Sequence, residues 1–100
     1  MNTTNLPNGW YVCGLLDDGT PREIRPGRSY GTYVSYLTKN RYGTWRAYCH
    51  DGITLFETND EMTPFQACVR AVEEMVVELE DQLQSEKKVL ERLKKEDASL

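Results

Sequence analysis

One hundred residues, 39% of them hydrophobic and with a formal charge of −4, are enough for one globular core and too few for a second. The apolar fraction excludes a disordered chain, and no apolar run approaches the about 20 residues of a membrane helix. Met1 to Asn5 holds neither the basic nor the apolar part of a signal peptide, so a cytoplasmic location is expected.

The first half of the chain alternates in period two and is rich in strand-forming residues. Trp10 to Leu16 reads as a strand, Asp17-Asp18-Gly19-Thr20 as a tight turn, and Arg22-Glu23-Ile24 as the return arm of a hairpin. Arg25-Pro26-Gly27-Arg28 breaks the pattern. Tyr30 to Leu37 follows as a strand of aromatic and β-branched residues, closed by the polar loop Thr38 to Gly43.

Asp51-Gly52 is the strongest local signal, because it suits a two-residue type I′ turn between Thr44 to His50 and Ile53 to Thr58. Such a turn sets His50 opposite Ile53, Cys49 opposite Thr54, Tyr48 opposite Leu55, Ala47 opposite Phe56 and Arg46 opposite Glu57. One sheet face then carries Trp45, Ala47, Cys49, Thr54 and Phe56, and the other carries Arg46, Tyr48, His50, Ile53, Leu55 and Glu57.

A helix is predicted to start at Thr63. Its hydroxyl suits an N-cap, Pro64 suits the first helical position, where an N–H has no intrahelical partner, and Gln66 completes a capping box. Beyond Pro64 there is no further proline and no glycine, so the helix can run for more than 30 residues. Met62, Phe65, Val69, Val72, Val76, Leu79, Leu83, Leu90, Leu93 and Leu100 keep a heptad register, interrupted by Glu86 and Asp97. A second stripe, Cys68, Ala71 and Met75, widens the apolar face in the first half, where the helix is expected to cover the sheet. The expected fold class is therefore α+β: a meander-like antiparallel sheet of four to five strands, then one long C-terminal helix. Residues 1–78 form the globular domain, and 79–100 form a projecting coiled-coil half that pairs with a second copy through Val76, Leu79, Leu83, Leu90 and Leu93.

The charge is unevenly placed. From Asn59 onward eleven acids oppose six bases, whereas between Gly19 and His50 six bases oppose Glu23 alone and are interleaved with Tyr30, Tyr33, Tyr36, Tyr42 and Tyr48. A protein surface, a nucleic acid or a small anionic ligand held at a dimer interface would each suit that composition, while the overall acidity weakens non-specific attraction to phosphate. The candidate partner surface is Arg46, Tyr48, His50, Ile53 and Leu55 on one sheet face, extended by Lys39, Arg41 and Tyr42 in the adjoining loop.

Catalysis is not expected. His50 and Cys49 are neighbours on a strand and point to opposite faces, and phosphate-loop, HExxH and GxSxG motifs are all missing. Cys13, Cys49 and Cys68 lack the close ligand pairs of a zinc site and are too few and odd in number for a disulfide framework, so no metal or other cofactor is expected.

The segment Thr44 to Val76, with Gly43-x-Trp45, a hairpin and a helix, resembles three-stranded-sheet-plus-helix DNA-binding domains of the integrase arm-binding type, which implies nucleic-acid recognition by the sheet. In size and acidity the chain is also similar to short bacteriophage accessory proteins. That likeness implies a small inhibitor or adaptor, acting in a host cytoplasm on a larger host protein or complex. The leading expectation is a non-enzymatic, homodimeric protein-binding module.

Overall fold

A computed structural model describes residues 6–28 and 31–98. Five strands, β1 (Trp10–Val12), β2 (Glu23–Pro26), β3 (Val34–Lys39), β4 (Trp45–Cys49) and β5 (Thr54–Thr58), pair in chain order as an antiparallel meander, and α1 (Pro64–Ala98) follows. This is the expected α+β architecture. Tyr30, Leu100 and the segment Met1 to Asn5, on which expectations were placed, lie outside the described residues.

Strand boundaries differ from the expected ones. The first strand stops at Val12, and Leu15 meets Pro21 only as an isolated bridge. β2 runs through Arg25 and Pro26, where the sequence pattern predicts a break; Pro26 is tolerated because it closes the strand, past the last residues paired with β3.

Asp51-Gly52 does not form a two-residue turn. Cys49 receives the Gly52 N–H at its carbonyl (2.9 Å) and donates its own N–H to Ile53 (3.1 Å), so the loop is His50-Asp51-Gly52. A type I′ turn needs positive φ at both central residues, whereas here only Gly52 adopts it, at +80°. The same three-residue geometry closes the β1–β2 and β3–β4 hairpins, through Asp17-Asp18-Gly19 and Arg41-Tyr42-Gly43, with Gly19 at +86° and Gly43 at +87°.

The longer loop corrects the register. Arg46 opposite Glu57 and Ala47 opposite Phe56 are as expected, but Tyr48 faces Thr54, and Leu55 is the extra residue of a bulge. β3 carries a matching irregularity at Ser35, so Tyr48 is flanked by bulges on both neighbouring strands. Thr54, expected on the helix side, is exposed, and Leu55, expected on the far side, packs half-buried against the core.

The helix begins as predicted. Gln66 donates its backbone N–H to Thr63 Oγ1 (3.1 Å), and Thr63 donates its backbone N–H to Gln66 Oε1 (2.9 Å), a closed capping box. Arg70 ties this end to the sheet side, its guanidinium 3.4 Å from Asp60 and over the Phe56 ring.

One core lies between helix and sheet. Trp10, Ile24, Val34, Leu37, Trp45, Ala47, Cys49 and Phe56 meet Ala67, Cys68, Ala71 and Met75. The helix therefore buries its second, narrower stripe. The heptad residues Phe65, Val69, Val76 and Leu79 stay exposed even beside the sheet, contrary to the expectation that both stripes would cover it; Val72 is half-buried. Ala67 and Ala71 have the small volume that lets a helix approach a sheet already filled by two tryptophans. From Leu79 to Asp97 every residue is exposed. The molecule measures 67 × 28 × 18 Å, and its radius of gyration of 17.9 Å exceeds the ~13 Å of a compact chain of this length.

Candidate interaction surfaces

Two surfaces are left uncovered by the core: the far face of the sheet, and the heptad seam of α1. On the far face, alternation brings the outward residues of adjacent strands into rows. Tyr11 sits opposite Arg25, the Arg25 guanidinium lies 5.0 Å from the Tyr36 ring centre, Tyr36 stacks on Tyr48 at 4.8 Å, and Tyr48 faces Thr54. A second row runs Glu23, Thr38, Arg46, Glu57.

Ion pairs join neighbours on this face. Arg25 Nε donates to Glu23 at 2.8 Å, and Arg46 Nε lies 3.2 Å from a Glu57 carboxylate oxygen. Each carboxylate raises the pKa of the guanidinium it holds, chiefly through the side-chain hydrogen bond. Formally the rows balance, two arginines against two glutamates, so the face is polar, aromatic and close to neutral rather than basic.

The predicted partner residues do not form one strip. Arg46 and Tyr48 lie at the centre of the far face. Arg41 and Tyr42 lie in the β3–β4 turn, with the Arg41 guanidinium donating to Tyr42 Oη at 2.9 Å. His50 and Ile53 lie at the opposite end of the sheet, in and beside the β4–β5 turn; His50 donates its backbone N–H to Tyr33 O, and its Nε2 stands 3.3 Å from Thr32 O. Lys39 belongs to the helix side, its ammonium 5.4 Å from the Trp45 ring centre, and Leu55 joins the core fringe through its bulge.

The sequence reading missed Tyr11, Arg25 and Tyr36 as neighbours of Tyr48. Their signal was present: each stands one residue from a core position, Trp10, Ile24 and Leu37, and so points away from the helix. What was lacking was the cross-strand register that aligns them.

The seam occupies a different side of α1 from the buried stripe. Leu83, Leu90 and Leu93 are each more than half exposed, and Val76 nearly so. Two of the shallow grooves that border it reach core residues. One is lined by Pro7, Trp10, Phe65, Cys68, Val69 and Val72, and the other by Tyr33, Cys49, His50, Met75, Leu79 and Gln82.

Chemistry-bearing side chains are dispersed. Among the described residues no group of three His, Cys, Asp or Glu is arranged to hold a metal ion. Cys13, Cys49 and Cys68 are free thiols, and burial pushes Cys68 up to about 12, which makes it a poor nucleophile. His50 is exposed while Cys49 is buried, so the adjacent pair is divided between solvent and core. No helix of the described residues is long and apolar enough to cross a membrane. No protein family, no curated protein and no solved structure matches this chain.

Proposed function

We propose that this protein is a non-enzymatic homodimeric binding module: the heptad seam of α1 joins two copies, and the far face of each sheet meets a larger protein. The observation that carries the reading is the division of the helix into two apolar stripes, one spent on the core and one left in solvent except at Met62 and Val72, which are half-buried. Single exposed apolar side chains are ordinary, but a stripe at heptad spacing, broken by Glu86 and Asp97, suits a helical partner.

The far face suits a protein partner for its composition. Tyrosine and arginine supply large, fairly rigid contacts with directed donors, the types enriched at binding hot spots. Each arginine of the Tyr11 to Thr54 and Glu23 to Glu57 rows already holds a glutamate, which weakens attraction to a polyanion. An inhibitor or adaptor acting on a larger host protein, in the manner of bacteriophage accessory proteins, fits these properties, with the cytoplasm as its place of action.

Nucleic acid is the second reading, favoured by the Tyr36–Tyr48 stack, on which a base could continue. Light scattering on the wild type and on a Leu83→Asp, Leu90→Asp variant tests the assembly: a dimer that becomes a monomer supports it, and a monomeric wild type at tens of micromolar removes it. Capture from a host lysate by wild type, lost with Tyr48→Ala and Arg46→Ala at unchanged melting, supports the far face. Salt-sensitive retention on DNA would transfer the same face to nucleic acid.

A further inference from the structure

We propose that the two copies pair antiparallel, the acidic part of one flank of each α1 lying along the basic part of the same flank of the other. This rests on the seam being a dimer interface and adds its direction and register.

With Met62, Val69, Val76, Leu83 and Leu90 at heptad position a, and Phe65, Val72, Leu79, Glu86 and Leu93 at position d, two flanks border the seam. The g flank carries Cys68 and Met75, both buried against the sheet. The e flank is exposed throughout and reads Gln66, Glu73, Glu80, Lys87, Lys94: two acids, then two bases. The neighbouring outer positions Glu74, Asp81, Lys88 and Lys95 repeat that order.

In a parallel, in-register dimer each e residue faces the g residue of the preceding heptad on the other helix. Glu80, Lys87 and Lys94 would then meet Met75, Gln82 and Val89, and no e-flank charge would find a partner. The acidic first half of one helix would also run beside the acidic first half of the other.

In an antiparallel dimer the e flanks face each other. One register, with the two-fold axis between Gln84 and Ser85, places Glu80 by Lys87 and Glu73 by Lys94 of the second copy, and each pair occurs twice. The same register sets Val76 against Leu93 and Leu79 against Leu90, apolar on apolar, and in its two central layers Leu83 against Glu86. Sliding by one heptad either way brings Glu80 onto Glu80 or Lys87 onto Lys87, so charge selects this register against its neighbours.

Val89 supplies an independent support. It is off the seam at position g and 44% exposed, without a role in a parallel pair beyond facing Lys94. In the antiparallel register it falls by Gln82, which borders the groove holding Tyr33, Met75 and Leu79. The occupant of that groove is then the distal half of a second copy.

The test uses the full chain. Light scattering first establishes whether the wild type is dimeric; a monomer overturns the underlying dimer reading, and with it this proposal. Lys87→Glu with Lys94→Glu gives an all-acidic e flank, and Glu73→Lys with Glu80→Lys an all-basic one; tryptophan fluorescence checks that each keeps its core. Each variant alone should dimerise at least about tenfold more weakly than wild type, and an equimolar mixture should form a heterodimer as tight as wild type or tighter. In chains whose part-exposed Cys13 is replaced by Ser, Glu80→Cys and Lys87→Cys, mixed and oxidised, should cross-link with each other and neither with itself, since Cys49 and Cys68 are buried. A dimeric wild type whose charge variants homodimerise unchanged, with no cross-link in the mixture, would overturn the antiparallel pairing while leaving the dimer standing.

Discussion

The corrected β4–β5 register is open to a sharp test, because moving one residue exchanges the fates of Thr54 and Leu55. Phe56 is 7% exposed and sits in the core with Trp45 and Ala47, so Phe56→Ala should cost about 3 to 5 kcal/mol through lost burial and the cavity left behind. Leu55 is half-buried on the fringe of that core, and Leu55→Ala should cost roughly 1 to 2 kcal/mol, about half of a full truncation. Thr54 is exposed, so Thr54→Ala should stay within about 0.5 kcal/mol. Urea unfolding followed by tryptophan fluorescence reports the core directly, since Trp10 and Trp45 are both buried in it. Protein concentration must be held constant, because any association through α1 adds a mass-action contribution. A Thr54 cost larger than the Leu55 cost would restore the two-residue turn and refute the bulge.

Other perturbations address the helix start, the buried thiol and the turns. Thr63→Ala should lose about 1 kcal/mol by opening the capping box, with Gln66→Ala losing less, as seen in thermal melts. Cys68 keeps its proton in the folded chain up to about 12 against an ordinary 9.0, so its contribution is fully present below pH 9 and declines as pH rises from 9 toward 12. A Cys68→Ala variant should show a shallower loss of stability than wild type over that window, and parallel pH curves would refute the assignment. Gly52→Ala should cost about 1 kcal/mol from left-handed strain alone, since a Cβ there meets open space; a much larger loss in urea titration would mean the turn is more crowded than its geometry indicates.

Much of the sheet was legible because alternation is a local property. Trp45, Ala47 and Phe56 share the helix face as their spacing requires, and the Thr63 cap closes as its motif requires. The turns were less legible for a definite reason. An Asp-Gly dipeptide serves either as the centre of a two-residue loop or as the end of a three-residue loop, and the hydrophobic pattern on either side tolerates both once a bulge is allowed. The choice depends on whether Leu55 gains more by packing against the core than the strand loses by bulging, which is a tertiary balance. Two residues of the candidate strip lie off the far face. Lys39 turned inward over Trp45, and Leu55 shifted with its bulge, while Tyr11, Arg25 and Tyr36 became visible as a row only when five strands were aligned.

The helix presents the opposite case: both apolar stripes were in the sequence, and the question was which of them the sheet would take. A larger apolar area would favour burying Val69, Val76 and Leu79, yet the sheet already carries Trp10, Trp45, Leu37 and Phe56 on its inner face. Interiors are close-packed, so a bulky sheet face requires a slender helix face if the backbones are to approach without strain. Ala67, Cys68 and Ala71 meet that requirement, and Met75, unbranched and adaptable, completes the stripe. The branched residues are thereby turned outward by the volume of the sheet rather than by any property of their own. A chain that needed only a lid for its sheet would have been better served by polar residues at those positions, since exposed Val and Leu add nothing to the monomer and promote association. Retention of the heptad over the sheet-bearing half as well as the projecting half, with Val69, Val76, Leu79, Leu83, Leu90 and Leu93 all open to solvent, is therefore the feature of this structure that most strongly calls for a second helix.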